Sequence, residues 1–267
     1  MTDRPQTLPA PGLTNVLLES RVFGETFATV LVSALLTRSR ASDGHTVLVL
    51  PGFAATDIAT WPLRRALNAL GYRALGWGLG RNVGLPAECR DRLLDRIRRH
   101  RRETGMPVSL LGWSLGGVFA RELARHVPSD VRLVVTMGTP VSGDPRANNM
   151  QAIYDRLSGR RPGEVDWNAY ERRRLPPPVP VTSIFSKTDG ILAWQCSLED
   201  CSPRTENVAI VSSHLGLPNN PLTLLVVADR LGQREGIWTP YDPPSALRFL
   251  IRPYTTARHA TGSGESA

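Results

Sequence analysis

Five unbroken apolar runs divide the chain and restrict its fold more than any other feature. They are "HTVLVLPGF" (His45 to Phe53), "MPVSLLGW" (Met106 to Trp113), "DVRLVVTMGTP" (Asp130 to Pro140), "VPVTSIFSK" (Val179 to Lys187) and "ENVAIVSS" (Glu206 to Ser213). Alternation between apolar and polar residues marks a strand with one wet face; runs without it are buried on both faces, as in a parallel sheet. The stretches between early runs read as helices: "DIATWPLRRALNALG", which Asp57 or Thr56 can cap and Gly71 can end, then an arginine-rich segment, then "GGVFARELARHV". A shorter strand is expected near Tyr72 to Trp77. Strands alternating with helices at this spacing predict an α/β chain with a mostly parallel central sheet and helices on both faces.

The 267 residues, 41% of them apolar, are enough to fill one core, so residues 1–254 read as a single domain. Residues 14–38 read as an N-terminal helical segment containing the most apolar stretch, "VFGETFATVLVSALL". That stretch is too short to span a bilayer and Glu25 interrupts it. The part before it is too long and polar for a signal peptide, so the apolar stretch is expected to be a buried or packing helix in a cytoplasmic protein. Residues 141–178 lack a strand signal and read as a cap-like insertion: Met150, Ile153, Tyr154 and Leu157 fall at helical spacing, followed by Trp167, Tyr170 and Pro176 to Pro178. Residues 255–267 are small and polar enough for a disordered tail.

The net charge is +8, carried by 31 arginines and a single lysine, Lys187. In "RDRLLDRIRRHRRETG" (Arg90 to Gly105), Leu93, Leu94 and Ile97 form a narrow stripe opposite the arginines, a surface helix. It has no interleaved aromatics and no nucleic-acid-binding motif, which argues against nucleic acid; weak peripheral contact with an anionic membrane is the better use of such charge. The three cysteines, Cys89, Cys196 and Cys201, lack metal-ligand spacing and fit a reducing compartment, with a local Cys196–Cys201 bond as the alternative. "GWGLGRNVG" lacks the order of a dinucleotide fingerprint and "AWQCSLEDC" lacks the second ligand pair of a zinc site. Neither a cofactor nor a metal is expected.

"LLGWSLGG" places Ser114 where an apolar strand meets a helix. A tight turn there strains the serine's backbone and lifts its hydroxyl above the sheet, and Gly112 and Gly116, on either side of Trp113–Leu115, lack the Cβ atoms that would collide at the crossing. A serine hydroxyl is a weak nucleophile and needs a base, which needs a group to orient it. His45 starts a strand, at the wrong end of the sheet; His100 and His126 lie on helices and His259 in the tail; His214 directly follows a late strand. Asp189, next to Gly190 in "FSKTDGIL", follows the preceding strand, whereas Glu199, Asp200 and Glu206 read as solvent-facing and Asp57 as a helix cap. Backbone N–H groups of Leu115 and Phe53 are placed to form an oxyanion hole.

"VLVLPGF", "GWSLGG", "SKTDGI" and "SSHLGL" together resemble the α/β-hydrolase superfamily, in particular its bacterial esterase and lipase branch, over about residues 45–252. The order Ser114, Asp189, His214 is the order of that superfamily's catalytic triad. The resemblance implies a serine hydrolase of carboxylic esters that forms an acyl-enzyme, takes a small-molecule or lipid ester, and covers its site with 141–178. That segment is read as a modest cap over a small or medium acyl pocket, or as a stripe that only packs against the domain. The superfamily's oxyanion loop usually reads His-Gly, and here Pro51 precedes Gly52. An acyltransferase using the same acyl-enzyme, or a non-catalytic ligand-binding protein, are the alternatives.

Overall fold

The computed structural model describes residues 8–35, 42–142, 147–149 and 167–254. Seven strands form one sheet: β1 (Thr46–Leu50), β2 (Arg73–Gly76), β3 (Val108–Trp113), β4 (Val131–Met137), β5 (Val181–Phe185), β6 (Thr205–Ile210) and β7 (Ile251–Tyr254). Their spatial order is β2-β1-β3-β4-β5-β6-β7. All neighbours are parallel except β6 and β7. The helices are α1 (Leu13–Leu18), α2 (Val22–Leu35), α3 (Trp61–Ala69), α4 (Ala87–Thr104), α5 (Leu115–His126), α6 (Trp167–Arg174) and α7 (Pro221–Gly232).

Alternate residues of β1 serve two separate cores. Val47 and Val49 pack with Leu63 and Leu67 of α3 and with Leu224 and Val227 of α7. Leu48 and Leu50 pack with Leu93, Leu94 and Ile97 of α4 and with Phe119 and Leu123 of α5. A sheet covered on both sides has no wet face, which is the physical origin of the unbroken runs. The arginine-rich helix buries the three apolar residues of its stripe and ends at Gly105 in the left-handed conformation, φ 72°.

The chain leaves β1 toward β2 on one side and returns to β3 on the other, so the strand order reverses between β1 and β3. Loops leaving the carboxyl ends of strands diverge at such a point and open a crevice. Both the Pro51–Gly52 loop and Ser114 emerge there.

Several expectations need correction. The N-terminal helices turn polar residues inward: Glu19, Thr29 and Ser33 are buried, while Leu13, Leu17, Phe23, Phe27 and Leu31 are exposed. The inward polar groups find partners on the body, as Thr29 Oγ1 does by donating to the Asn219 carbonyl at 2.7 Å. Glu199 is buried rather than solvent-facing, because Arg121, itself 1% exposed, reaches it in an ion pair with Nε–Oε1 at 2.7 Å and an Nη2–Oε2 hydrogen bond at 2.7 Å. Glu206 is also tied inward, accepting from Thr182 Oγ1 at 2.6 Å, Arg230 Nη1 at 3.0 Å and the Tyr241 N–H at 2.6 Å. Thr56 caps the turn before α3, whereas Asp57 accepts the N–H groups of Trp77 and Gly78 at 2.9 and 3.0 Å.

Of the cap-like stretch, Met150, Ile153, Tyr154 and Leu157 lie outside the described residues, as do 255–267. Asn148 bridges to Leu192, and Asn149 Nδ2 donates to the carbonyls of Gly190 at 2.8 Å and Pro11 at 3.1 Å. None of the three cysteines is in a disulfide. Among the described residues no helix is long and apolar enough to cross a membrane, and no group of three or more His, Cys, Asp or Glu could hold a metal ion.

Candidate active site

Ser114 joins β3 to α5 with φ 52° and ψ −121°, a conformation that side-chain-bearing residues avoid. Its N–H donates to the Met137 carbonyl at 2.8 Å and its carbonyl accepts from the Gly117 N–H at 3.0 Å, so neighbouring elements hold the turn. The residue is half-buried. Three glycines make the turn feasible. A Cβ on Gly112 would lie 2.3 Å from Gly117 Cα, and one on Gly116 would lie 2.4 Å from the Leu50 carbonyl oxygen at the end of β1. Gly117, which the sequence reading passed over, would meet Thr139 Oγ1 at 1.9 Å.

His214 and Asp189 are both 3% exposed and their side chains meet, Nδ1 to Oδ2, at 2.6 Å. The other carboxylate oxygen of Asp189 accepts the N–H groups of Ile191 at 2.8 Å and Leu192 at 2.7 Å, which fixes the acid in its turn. Burial pulls the His214 pKa down, but the charge of Asp189, its hydrogen bond and the charge of Glu19 pull harder the other way, and the net shift is upward. Gly138, at the end of β4 with φ 57°, makes room for the ring, since a Cβ there would stand 3.0 Å from His214 Nδ1. Met137, the preceding residue, is the one that holds Ser114. Trp113, next to the serine, has its ring centroid 6.2 Å from that of His214. Among the described residues no hydrogen bond joins the Ser114 hydroxyl to the imidazole; catalytic bonds of this kind are often long until substrate binds.

The loop after β1 lies against the same turn. A Cβ on Gly52 would come within 3.0 Å of the Trp113 ring. Phe53 is half-buried in the turn that follows, and Ala54 takes φ 58°. Where the superfamily's loop usually has a histidine the chain has Pro51, and fully buried Asn82 ties this loop down. Its Nδ2 donates to the Pro51 carbonyl at 2.7 Å, its carbonyl accepts from Ala54 at 2.7 Å, and its N–H donates to Ala55 at 2.8 Å. Asn82 lies in "GWGLGRNVG", the stretch that leaves β2.

The remaining histidines are elsewhere. His126 is exposed beside Glu122, His100 lies on α4, and His259 is outside the described residues. His45 is fully buried at the amino end of β1, with Nδ1 2.5 Å from Asp43 Oδ1 and Nε2 2.8 Å from Ser109 Oγ.

No protein-family model matches the chain and no curated protein does. Solved structures do. Aspergillus fumigatus lipase B superposes with a TM-score of 0.55 at 16% identity, over 74% of this chain and 55% of the lipase, so the chain spans little more than half of that protein's length. The mature form of Bacillus licheniformis lipase BlEst2 gives a TM-score of 0.52 at 14% identity, over 70% of this chain and 91% of the lipase. The chain has the α/β-hydrolase fold. A structure described with the metagenome-derived lipolytic enzymes LipS and LipT gives a TM-score of 0.51 at 14% identity, over 73% of this chain and 93% of that one. Within the α/β-hydrolase fold, Ser114, His214 and the Pro51–Phe53 loop all stand at the carboxyl edge of the sheet, where its reactive loops gather.

Proposed function

We propose that the chain is a serine hydrolase of carboxylic esters, with Ser114 as nucleophile, His214 as general base and Asp189 as the group that orients it. The observation that carries this reading is the buried 2.6 Å contact between Asp189 and His214 beside a strained, half-buried serine at a strand-to-helix turn. The lipolytic names of the superposed proteins agree with it.

In this reading His214 Nε2 accepts the hydroxyl proton as Ser114 Oγ attacks the ester carbonyl. Asp189 on Nδ1 fixes the tautomer that leaves Nε2 open and stabilises the imidazolium. The developing oxyanion is met by the N–H groups of Leu115 and Phe53. Leu115 opens α5, and the first N–H groups of a helix have no intrahelical acceptor and sit at its positive end. His214 then returns the proton to the departing alcohol, and water, deprotonated by the same imidazole, releases the acid and restores the serine. The substrate is a small-molecule or lipid ester.

The test is labelling with a fluorophosphonate, located by intact mass and peptide mapping, followed by turnover of p-nitrophenyl esters of increasing acyl length. A single adduct on Ser114 and ester turnover lost in Ser114→Ala are expected. Folded protein that takes no adduct at Ser114 would falsify the assignment.

A further inference from the structure

The N-terminal segment reaches across the molecule to the loops that carry Asp189 and His214. Glu19, between α1 and α2, is 7% exposed. Its Oε1 accepts the N–H groups of Gly190 and His214, each at 2.8 Å, and its Oε2 accepts that of Leu215 at 2.9 Å. One carboxylate thus holds the residue after the acid, the base itself and the residue after the base. Gly190 permits this approach, because a Cβ there would lie 2.4 Å from the Asn15 carbonyl oxygen and 2.9 Å from Glu19 Cγ. Arg21 bridges the same two loops, its Nη2 donating to Thr188 Oγ1 at 3.0 Å and to the Ser212 carbonyl at 3.1 Å. Glu25 accepts from the Ser213 N–H at 2.9 Å and the Ser213 hydroxyl at 2.6 Å.

We infer that Glu19 is a positioning residue for the His214 base: its buried carboxylate fixes the acid loop against the base loop and places a second negative charge at the backbone of His214. The inference rests on the hydrolase reading above. Three N–H donors converge on two oxygens, so a carboxylate satisfies all of them, whereas an amide would turn its own NH2 against at least one. Among the described residues, the charged side chains packed on the His214 loop and its neighbour are Asp189 from the loop after β5 and Glu19, Arg21 and Glu25 from the N-terminal segment. Arg21 engages Thr188 and Ser212, Glu25 engages Ser213, and the elbow contributes the neutral Trp113 ring. Glu19 adds to Asp189 in raising the His214 pKa.

The experiment is an NMR titration of the His214 ring in Ser114→Ala protein, with and without Glu19→Gln, which needs no turnover. His214 is expected to titrate at lower pH in Glu19→Gln, and not to fall in Arg21→Gln, which loosens the same loops without removing negative charge. In otherwise native enzyme, Glu19→Gln should move the acid limb of kcat/KM to lower pH and lower the plateau kcat by about tenfold or more, with KM within about twofold. Glu19→Asp, which keeps the charge, should restore part of the titration shift. An unchanged His214 titration in folded Glu19→Gln overturns the inference while leaving phosphonate labelling of Ser114 intact; absent labelling sinks the hydrolase reading instead. If Glu19→Gln does not fold, amide exchange in the Ser114→Ala protein decides. Slow, concerted exchange of Gly190, His214 and Leu215 is expected, and fast exchange at these three amides overturns the inference.

Discussion

Trp113 Nε1 donates a 3.0 Å hydrogen bond to the carbonyl of His214, joining the residue before the strained serine to the residue on the opposite loop. Trp113 is 7% exposed, and removal of its donor leaves the buried His214 carbonyl only the longer, 3.4 Å bond from the Leu217 N–H. Trp113→Phe should therefore cost about 1–3 kcal/mol of stability. It should also lower kcat more than it raises KM, because the loop carrying His214 loses its tie to the elbow. Urea unfolding and steady-state kinetics on the same variant separate the two effects.

The backbone of Ser114 stores strain that a glycine would release. Ser114→Gly should abolish turnover and yet raise stability by about 1–3 kcal/mol, the usual cost of a residue held in such a region. Ser114→Ala should lose turnover without that gain, since it keeps the Cβ. Thermal melts of the two variants side by side provide the comparison, and equal Tm values would remove strain from the account of the turn.

The upward shift of His214 fixes the sign of two pH dependences. In the proposed mechanism neutral imidazole is the base, so kcat/KM should rise with pH through an inflection above the ordinary value of 6.5. Stability runs the other way: a group whose folded pKa is raised contributes stability that is fully present below 6.5 and is lost as pH rises through the folded value. Activity and stability should therefore change in opposite directions across that interval, which rate profiles and melts collected in one buffer series will test.

Asn82 holds the loop that presents Phe53. In Asn82→Ala the Pro51 carbonyl loses its buried donor, at a cost of about 1–3 kcal/mol. The rate of phosphonate acylation of Ser114 should fall, because the Phe53 N–H no longer has a fixed direction, while the His214 titration stays where it was. Stopped-flow labelling together with the ring titration distinguishes this from general loosening.

Glu199 and Asp200 are neighbours with different fates. Glu199→Ala strands the buried Arg121 guanidinium and should cost about 3–5 kcal/mol. Asp200 is more than a third exposed and meets Arg174 at 3.3 Å, so Asp200→Asn should stay within about 0.5 kcal/mol. Chemical denaturation of the two variants gives the difference directly.

The strand and helix order was legible because burial on both faces leaves a signal within each segment: the β1 and β3 runs need no knowledge of their partners. The turn at Ser114 was equally local, as its glycines sit within three residues of it. What stayed hidden depends on pairs far apart in the chain. Glu19 lies 195 residues from His214, and nothing in "LLESR" says that its acid points inward. Glu199 read as solvent-facing because a carboxylate in a loop usually is, and only the fold brings Arg121 to it from 78 residues away. Strand β7 is four residues long and contains Pro253, which fits only an edge, so its pairing was invisible before the sheet was assembled.

The Asp43–His45–Ser109 contacts repeat the same three kinds of side chain at the amino end of the strands, with both links formed. There they act as a rivet. Ser109 and His45 are fully buried between strands, and burial, against the pull of Asp43, draws the His45 pKa down. Composition and distance would single out that trio before the one at the opposite pole. The fold separates them by address: one end of a parallel sheet closes over its serine and histidine and turns them into joinery, while the end where the loops part leaves its serine half open.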